Sequence, residues 1–308
     1  MVSFEDLRER FAVEYEKMRE YYAATGFSFS FEVFLAGFAL LALLIAIVLL
    51  LLNLSLFEVV VAFFAVMSFS ISIPITMREN RIAEIESNLP DALKHMALVL
   101  KAGGTVENAL EEVALPDGYG SLGADFKKAL GRLRRGQSFE SVLVKIAEES
   151  GSLLLRRTAS IIVDARRAGA GLADVLFAIS DDAKDVLHIQ RERLSRTVMH
   201  AIFIASSSII IAPFIFGFAL SVINFIAVNM LKALPNAKAM DVCSLNTTFV
   251  LFLVIQTIVA AVALGIVRFG KTGKYLLYLP VLVLISLLIF ETAKWLSNVI
   301  VGGTGLVC

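Results

Sequence analysis

LPDALKHMALVLKAGGTVENALEEVA, Leu89 to Ala114, is the stretch that decides the fold. Leu89, Leu93, Met96, Ala97 and Leu100 recur at three- and four-residue intervals, the spacing of one buried helix face. Asn88-Leu-Pro-Asp reads as the start of that helix, with Pro90 near the first helical position and Asp91 in the first turn. Gly103 reads as its end, because glycine takes a left-handed cap without strain. Thr105 then caps a second helix. The stretch is a hairpin of amphipathic helices, yet strongly apolar sequence lies on both sides of it.

The phrase at its centre recurs. GGTVENAL (Gly103–Leu110), GQSFESVL (Gly136–Leu143) and GAGLADVL (Gly169–Leu176) stand 33 residues apart. Such a period raises the question of a solenoid. The third unit lacks the internal break of the others, and a compact antiparallel bundle fits better. Between the phrases, LPDGYG (Leu115–Gly120) breaks the chain. Ser121 opens a helix with Leu122, Phe126, Leu130 and Leu133 on its inner face. Gly136 ends that helix, Ser138 caps the next, and Gly151-Ser152 punctuates again. The last helix uses Leu172, Val175, Leu176, Ile179, Ala183, Val186 and Leu187. No break is obvious after it, although Ser180-Asp-Asp could start a new helix.

Working outward, the 308 residues are 58% hydrophobic and 18% charged. Soluble domains hold about 45–50% apolar and about 25% charged residues. The apolar excess is concentrated in Val33–Leu52, Val59–Met77, Thr197–Leu231, Val242–Val267 and Tyr275–Phe290, the last extended past Glu291 and Lys294 to Leu296. About 20 apolar residues cross a bilayer. These runs predict an all-α membrane protein of about five transmembrane helices. Arg78–Arg196, with 18 Lys/Arg and 18 Asp/Glu, forms an antiparallel six-helix bundle between the second and third spans. The expected division is an amphipathic N-terminal helix (1–30), spans one and two (31–77), the bundle (78–196), span three (197–231), an outer loop (232–247), spans four and five (248–296) and an outer tail (297–308). In the first segment Phe4, Leu7, Phe11, Met18 and Tyr22 share one stripe, suited to the protein's own bundle or to a membrane or partner.

Orientation follows from the positive-inside rule. With the N-terminus and bundle in the cytoplasm, Arg268, Lys271 and Lys274 form a short basic inner loop, and only Lys232, Lys238 and Lys294 lie toward the outside. Cys243 and Cys308 then share the outer face, where disulfides survive. They are either bonded to each other or two unrelated thiols. Asn53-Leu-Ser and Asn246-Thr-Thr are glycosylation sequons on that side.

No catalytic centre is legible, and no cofactor is expected. GIVRFGKT (Gly265–Thr272) matches the phosphate-loop pattern. Such a loop must follow a strand and open a helix, whereas here it lies between two apolar spans. His95, His188 and His200 have no second metal ligand at useful spacing. The span interiors carry no charge; Ser206, Ser207, Ser208, Asn224, Gln256 and His200 are their more polar members. Glu291 and Lys294, three residues apart near the outer end, are placed to pair. Pro213 should kink the third span, with a hinge as one possible use.

A basic cluster is the best functional candidate. From Lys127 to Arg167 there are ten Lys/Arg and four Asp/Glu. Lys128, Arg132 and Arg135 fall on the face opposite Phe126, Leu130 and Leu133, with Lys127 and Arg134 beside them. Arg156, Arg157, Arg166 and Arg167 follow on a later helix. Such a patch steers an acidic partner; the alternatives are an ordinary solvated face or anionic lipid. Nucleic acid fits poorly, because aromatics do not interleave with the arginines.

Leu89–Ala114, together with YGSLGADFKKALGRLRRGQSFESVL and RRAGAGLADVLFAISDDAKD, resembles the type II secretion F domain. The resemblance runs from about Glu84 to Pro213. It implies a non-enzymatic polytopic platform of type IV pilus, archaellum or type II secretion machines, in the cytoplasmic membrane beneath the filament. It also implies a hexameric secretion ATPase docked on the cytoplasmic bundle, and pilin-like subunits as cargo. A single such domain, similar to tight-adherence and archaeal systems, implies pairing with a second copy or a paralogue. A scaffold or sensor unrelated to filaments is the rival reading, as is a small transporter, which would need a polar route through the spans.

Overall fold

The computed structural model describes residues 30–52, 54–114, 118–169, 171–233, 242–269 and 278–301. Every regular element among them is helical: α1 (Phe31–Leu51), α2 (Leu56–Lys101), α3 (Val106–Val113), α4 (Gly120–Leu133), α5 (Phe139–Ser150), α6 (Leu153–Arg167), α7 (Leu172–Ser206), a π-helical turn (Ser207–Ile211), α8 (Ala212–Ala233), α9 (Val242–Phe269) and α10 (Leu279–Val301). Five helical stretches are long and apolar enough to cross a membrane: Phe31–Leu51, Leu56–Lys101, Leu172–Met230, Val242–Arg268 and Leu279–Ile300. The chain divides into two compact units, one of residues 77–195 and one of the residues before and after it. The amphipathic stripe read in residues 1–30 falls outside the described residues, apart from Ser30.

In the unit of residues 77–195 the punctuation is that of the recurring phrase. Gly103, Gly136 and Gly169 have φ of 88°, 84° and 79°, a region a side chain would strain. Thr105 Oγ1 accepts from Asn108 N at 3.2 Å, and Ser138 Oγ accepts from Ser141 N at 3.3 Å. Ser152 Oγ accepts from Leu155 N at 3.0 Å. Each cap satisfies an otherwise orphaned amide and contributes about 1 kcal/mol. α3 packs on α4, α4 on α5 and α5 on α6. Leu89, Leu93, Met96, Leu122, Phe126 and Leu176 are at most 2% exposed, so the inner faces read from periodicity are the core.

One expected boundary is absent. Asn88-Leu-Pro-Asp does not open a helix: α2 runs unbroken through it from Leu56 to Lys101. The groups that would have capped a helix start are used sideways. Asn88 Nδ2 donates to Tyr119 O at 3.2 Å, and Ser180 Oγ donates to Pro90 O at 2.8 Å. Ser180 is fully buried inside α7, so Ser180-Asp-Asp does not start a helix either. Two further ties hold residues 77–101 of α2 within this unit. Arg81 Nη2 grips both oxygens of Asp125 at 2.8 and 2.9 Å, and Ser152 Oγ donates to Glu86 Oε1 at 2.7 Å.

In the other unit α1 buries only Phe31 and Ala42, a surface suited to lipid. α8 and α10 approach closely at Gly217, where an added Cβ would meet the carbonyl oxygen of Phe290 and Cβ of Ala293. Small residues permit such backbone contact between membrane helices. One turn on, Ser221 Oγ donates to Lys294 O at 3.0 Å. Leu220, Val250, Leu253 and Phe290 close a core among α8, α9 and α10. The π-helical turn ends two residues before Pro213, which is buried. Proline lacks an N–H and its ring presses on the carbonyl four residues back; a widened turn there relieves both.

Two helices exceed the bounds expected of their spans. α9 begins at Val242, where its apolar run begins, rather than at 248; within it Thr247 and Thr248 turn their hydroxyls onto their own helix, bonding Cys243 O at 3.1 Å and Ser244 O at 2.8 Å. α10 continues to Val301, past the expected end at residue 296.

Candidate docking surface

The cations from Lys127 to Arg167 separate into two groups. Arg132 Nη2 meets both oxygens of Glu149 at 2.8 and 2.9 Å, with its side chain only 16% exposed. Arg134 pairs with Glu111 at 2.8 Å, Arg166 with Glu140 at 3.2 Å, and Lys128 with Asp125 at 3.1 Å. Arg166 also lies 5.3 Å over the Phe139 ring. Arg157 approaches Asp182 at 4.0 Å. Lys128 and Asp125 are one turn apart on α4; the other pairs tie neighbouring helices together, and the exposed pairs contribute about 0–1 kcal/mol each. Lys127, Arg135, Arg156 and Arg167 are exposed, and no ion pair engages them among the described residues.

Arg156 and Arg167 belong to a groove between α5 and α6. Two adjoining hollows of about 330 and 480 Å³ share Val144, Glu148, Val163 and Arg167 as walls. Ala147 and Ala159 extend the apolar floor of the first, and Lys145 stands on the wall of the second. The helix faces make this shape: small and β-branched residues line the seam, and long charged side chains rise at its edges. The rims carry both signs: Lys145, Arg156 and Arg167 stand beside Glu140, Glu148 and Asp164, so a segment seated on the apolar floor would meet charge of either sign. Elsewhere in this unit, Tyr119 hydroxyl lies 3.3 Å from His95 Nδ1. Partial burial, and then Asp91 nearby, push its phenol above the usual value, so the group stays protonated across physiological pH.

A second polar constellation lies in the membrane-crossing unit. Ser55 and Glu58 form a reciprocal capping box at the start of α2: Ser55 N donates to Glu58 Oε2 at 3.0 Å, and Glu58 N donates to Ser55 Oγ at 3.4 Å. Glu58 Oε1 also accepts from Asn246 Nδ2 at 3.0 Å and from Lys294 Nζ at 3.2 Å. Lys294 further donates to Asn246 Oδ1 at 3.4 Å, pairs with Glu291 and lies 4.8 Å over the Phe290 ring. Glu291 and Lys294 do pair, as their spacing suggested. They lie ten and seven residues before the end of α10, and Lys294 bonds residues of the first turns of α2 and α9. Asn246, only 3% exposed and bonded to Glu58, is no glycan acceptor. Glu58 escaped notice because the apolar run was counted from Val59; the Ser55-x-x-Glu58 capping pattern was the available signal.

The remaining sequence candidates are placed as follows. Gly265–Phe269 of the phosphate-loop pattern is the final part of α9, and the rest lies outside the described residues. Cys243 stands in the first turn of α9, whereas Cys308 and Asn53 lie outside the described residues. Among the described residues no group of three or more His, Cys, Asp or Glu could hold a metal ion.

Comparison with known proteins converges on the same region. Residues 92–220 match the family described as type II secretion system, protein F. An uncharacterized protein of Methanocaldococcus jannaschii is 31% identical over 126 residues, covering 41% of this chain. The match spans 42% of that protein's length. No solved structure matches the chain.

Proposed function

We propose that this chain, whose residues 92–220 form a type II secretion F domain, is the integral-membrane platform of a pilus-like or type II secretion-like assembly machine. The F-domain match, in a chain with five helices long enough to cross a membrane, is the observation that carries this reading. In it, residues 77–195 form an antiparallel six-helix bundle on the cytoplasmic side, with the N-terminus inside and the C-terminus outside the cell membrane. A hexameric secretion ATPase, a separate chain, docks on the bundle. Its cycle moves the platform, which lifts pilin-like subunits from the bilayer into a filament. The platform works as a pair, with itself or a paralogue.

Of the nine cations, Lys127, Arg135, Arg156 and Arg167 are the ones free to meet the ATPase, because Lys128, Arg132, Arg134, Arg157 and Arg166 have acidic neighbours within the unit. The α5–α6 groove seats a segment of it whose acidic groups meet Arg156 and Arg167, two cations on its rim without an acidic partner among the described residues. The test is co-purification of the full-length chain from native membranes, with every recovered protein identified. A secretion ATPase should accompany the wild type, and at least tenfold less of it the Arg156→Glu/Arg167→Glu variant. Equal recovery with both removes the groove as the docking site; no ATPase with either removes the reading itself.

A further inference from the structure

We propose that the π-helical turn of the third span, Ser207–Ile211, is a two-position joint. It holds one extra residue in the form the structure shows and gives it up in a second form, in which the helix before it is turned about its own axis. The turn interrupts an otherwise α-helical run from Leu172 to Ala233. Within it Ala212 N donates to Ser207 O, five residues back instead of four.

Ser208 carries the defect of the first form. It is 2% exposed, and its Oγ has no hydrogen-bond partner. A serine inside a helix ordinarily returns its hydroxyl to a carbonyl one turn back, as Ser206 does to Phe203 O at 3.1 Å. Buried hydroxyls without partners are rare. In a regular α-helix Ser208 stands as Ser206 does, within reach of Ile204 O or Ala205 O. That second form has a defect of its own, because Pro213 presses its ring on Ile209 O and has no N–H to give it. The wide turn relieves the proline and strands the serine; the regular turn does the reverse. The two defects are of similar size, which is the condition for a bistable element.

The helix before the turn is the side held more loosely. Past the turn, α8 is fixed at Gly217 against Phe290 O and Ala293 Cβ, and at Ser221 by its bond to Lys294 O. Before it, Ile202 and Phe203 are exposed, and Ala201, Ile204 and Ala205 are only partly buried against Ala261, Leu264 and Leu282. Giving up one residue from a helix of 3.6 residues per turn rotates this segment by about 100° and shifts it by about 1.5 Å. α7 is unbroken from Leu172 to Ser206, so a twist applied along it arrives at the turn. The joint belongs to the third span alone and stands whether or not an ATPase docks.

The test uses the full-length chain in phosphatidylcholine nanodiscs, with Met199 and Ile266 each replaced by p-acetylphenylalanine. Both positions are exposed, and both lie in the unit outside residues 77–195. Nitroxides coupled to the two ketones leave the native cysteines untouched, and pulsed dipolar spectroscopy reads the distance between them. A side chain reaches about 5 Å from its helix axis, so a rotation of about 100° moves the label at 199 by about 8 Å. The labelled parent should show two distances. Ser208→Ala removes the stranded hydroxyl and should shift their ratio at least about fivefold one way. Pro213→Ala removes the need for the wide turn and should shift it at least about fivefold the other way. A single distance in the parent overturns the proposal and needs no variant. Shifts of both variants in the same direction overturn it too, as does the absence of a shift in either. If Pro213→Ala does not fold, the parent and Ser208→Ala decide.

Discussion

Replacing Lys294 by Met removes the one cation of the buried cluster while keeping most of the side-chain volume. Glu58, 2% exposed, loses an ammonium at 3.2 Å. At an effective dielectric of about 20 that attraction is about 5 kcal/mol. Ser55 N and Asn246 Nδ2 still bond the carboxylate, which offsets part of the loss. Breaking one side of a buried pair costs about 3–5 kcal/mol, and the lower half of that range is expected here. Unfolding by SDS in mixed micelles, followed by far-UV circular dichroism, reads the change. Adding Glu58→Gln removes the stranded charge, so the double variant should regain at least about 1.5 kcal/mol of the loss. A Lys294→Met protein within about 1 kcal/mol of the wild type refutes this reasoning, and so does a double variant no more stable than the single one.

The same unfolding assay reads the other stability changes. Gly217→Leu sets a side chain against the Phe290 carbonyl oxygen and Ala293 Cβ and should cost about 1–3 kcal/mol; an unchanged midpoint contradicts the close α8–α10 approach. Leu89→Ala empties a fully buried position and should cost about 2–5 kcal/mol. Such a loss is expected only if α2 belongs to the core of residues 77–195. Ser138→Ala should cost about 1 kcal/mol through loss of the α5 cap. Arg132→Ala should destabilise by about 1 kcal/mol, because its bidentate pair to Glu149 is sheltered on the Arg132 side but open on the other. Arg135→Ala should stay within about 0.5 kcal/mol, and equal effects at the two sites contradict the separation of paired from free cations.

Much of the helical unit was legible because its signals are local. A glycine with positive φ, a serine or threonine cap and an apolar stripe each report on only a few residues. Leu93, Phe126 and Leu176 therefore fell on the buried side as their spacing required. Asn88-Leu-Pro-Asp misled because its start signals are real, but tertiary partners claim them: Tyr119 takes the Asn88 amide and Ser180 supplies the Pro90 carbonyl. The Glu58–Lys294 cluster was illegible for the opposite reason. Runs of apolar residues are counted until the first charge, so a charge held inside a span ends the run instead of appearing within it. Glu58 and Lys294, 236 residues apart in the sequence, carry no local mark of their meeting. Nor could sequence divide the nine cations: Arg132, inside α4, reaches Glu149 of the next helix, whereas Arg135 lies past the end of α4 and stays exposed.

The central claim is that residues 77–195 face the cytoplasm, where a motor can reach them. Glu112, exposed on α3, offers a site for a reporter cysteine. Glu112→Cys in intact cells, treated with a membrane-impermeant maleimide, should remain unlabelled beyond the background of the parent chain. It should label fully once the membrane is opened. Equal labelling before and after opening contradicts the claim, because it places this unit on the outer side of the membrane.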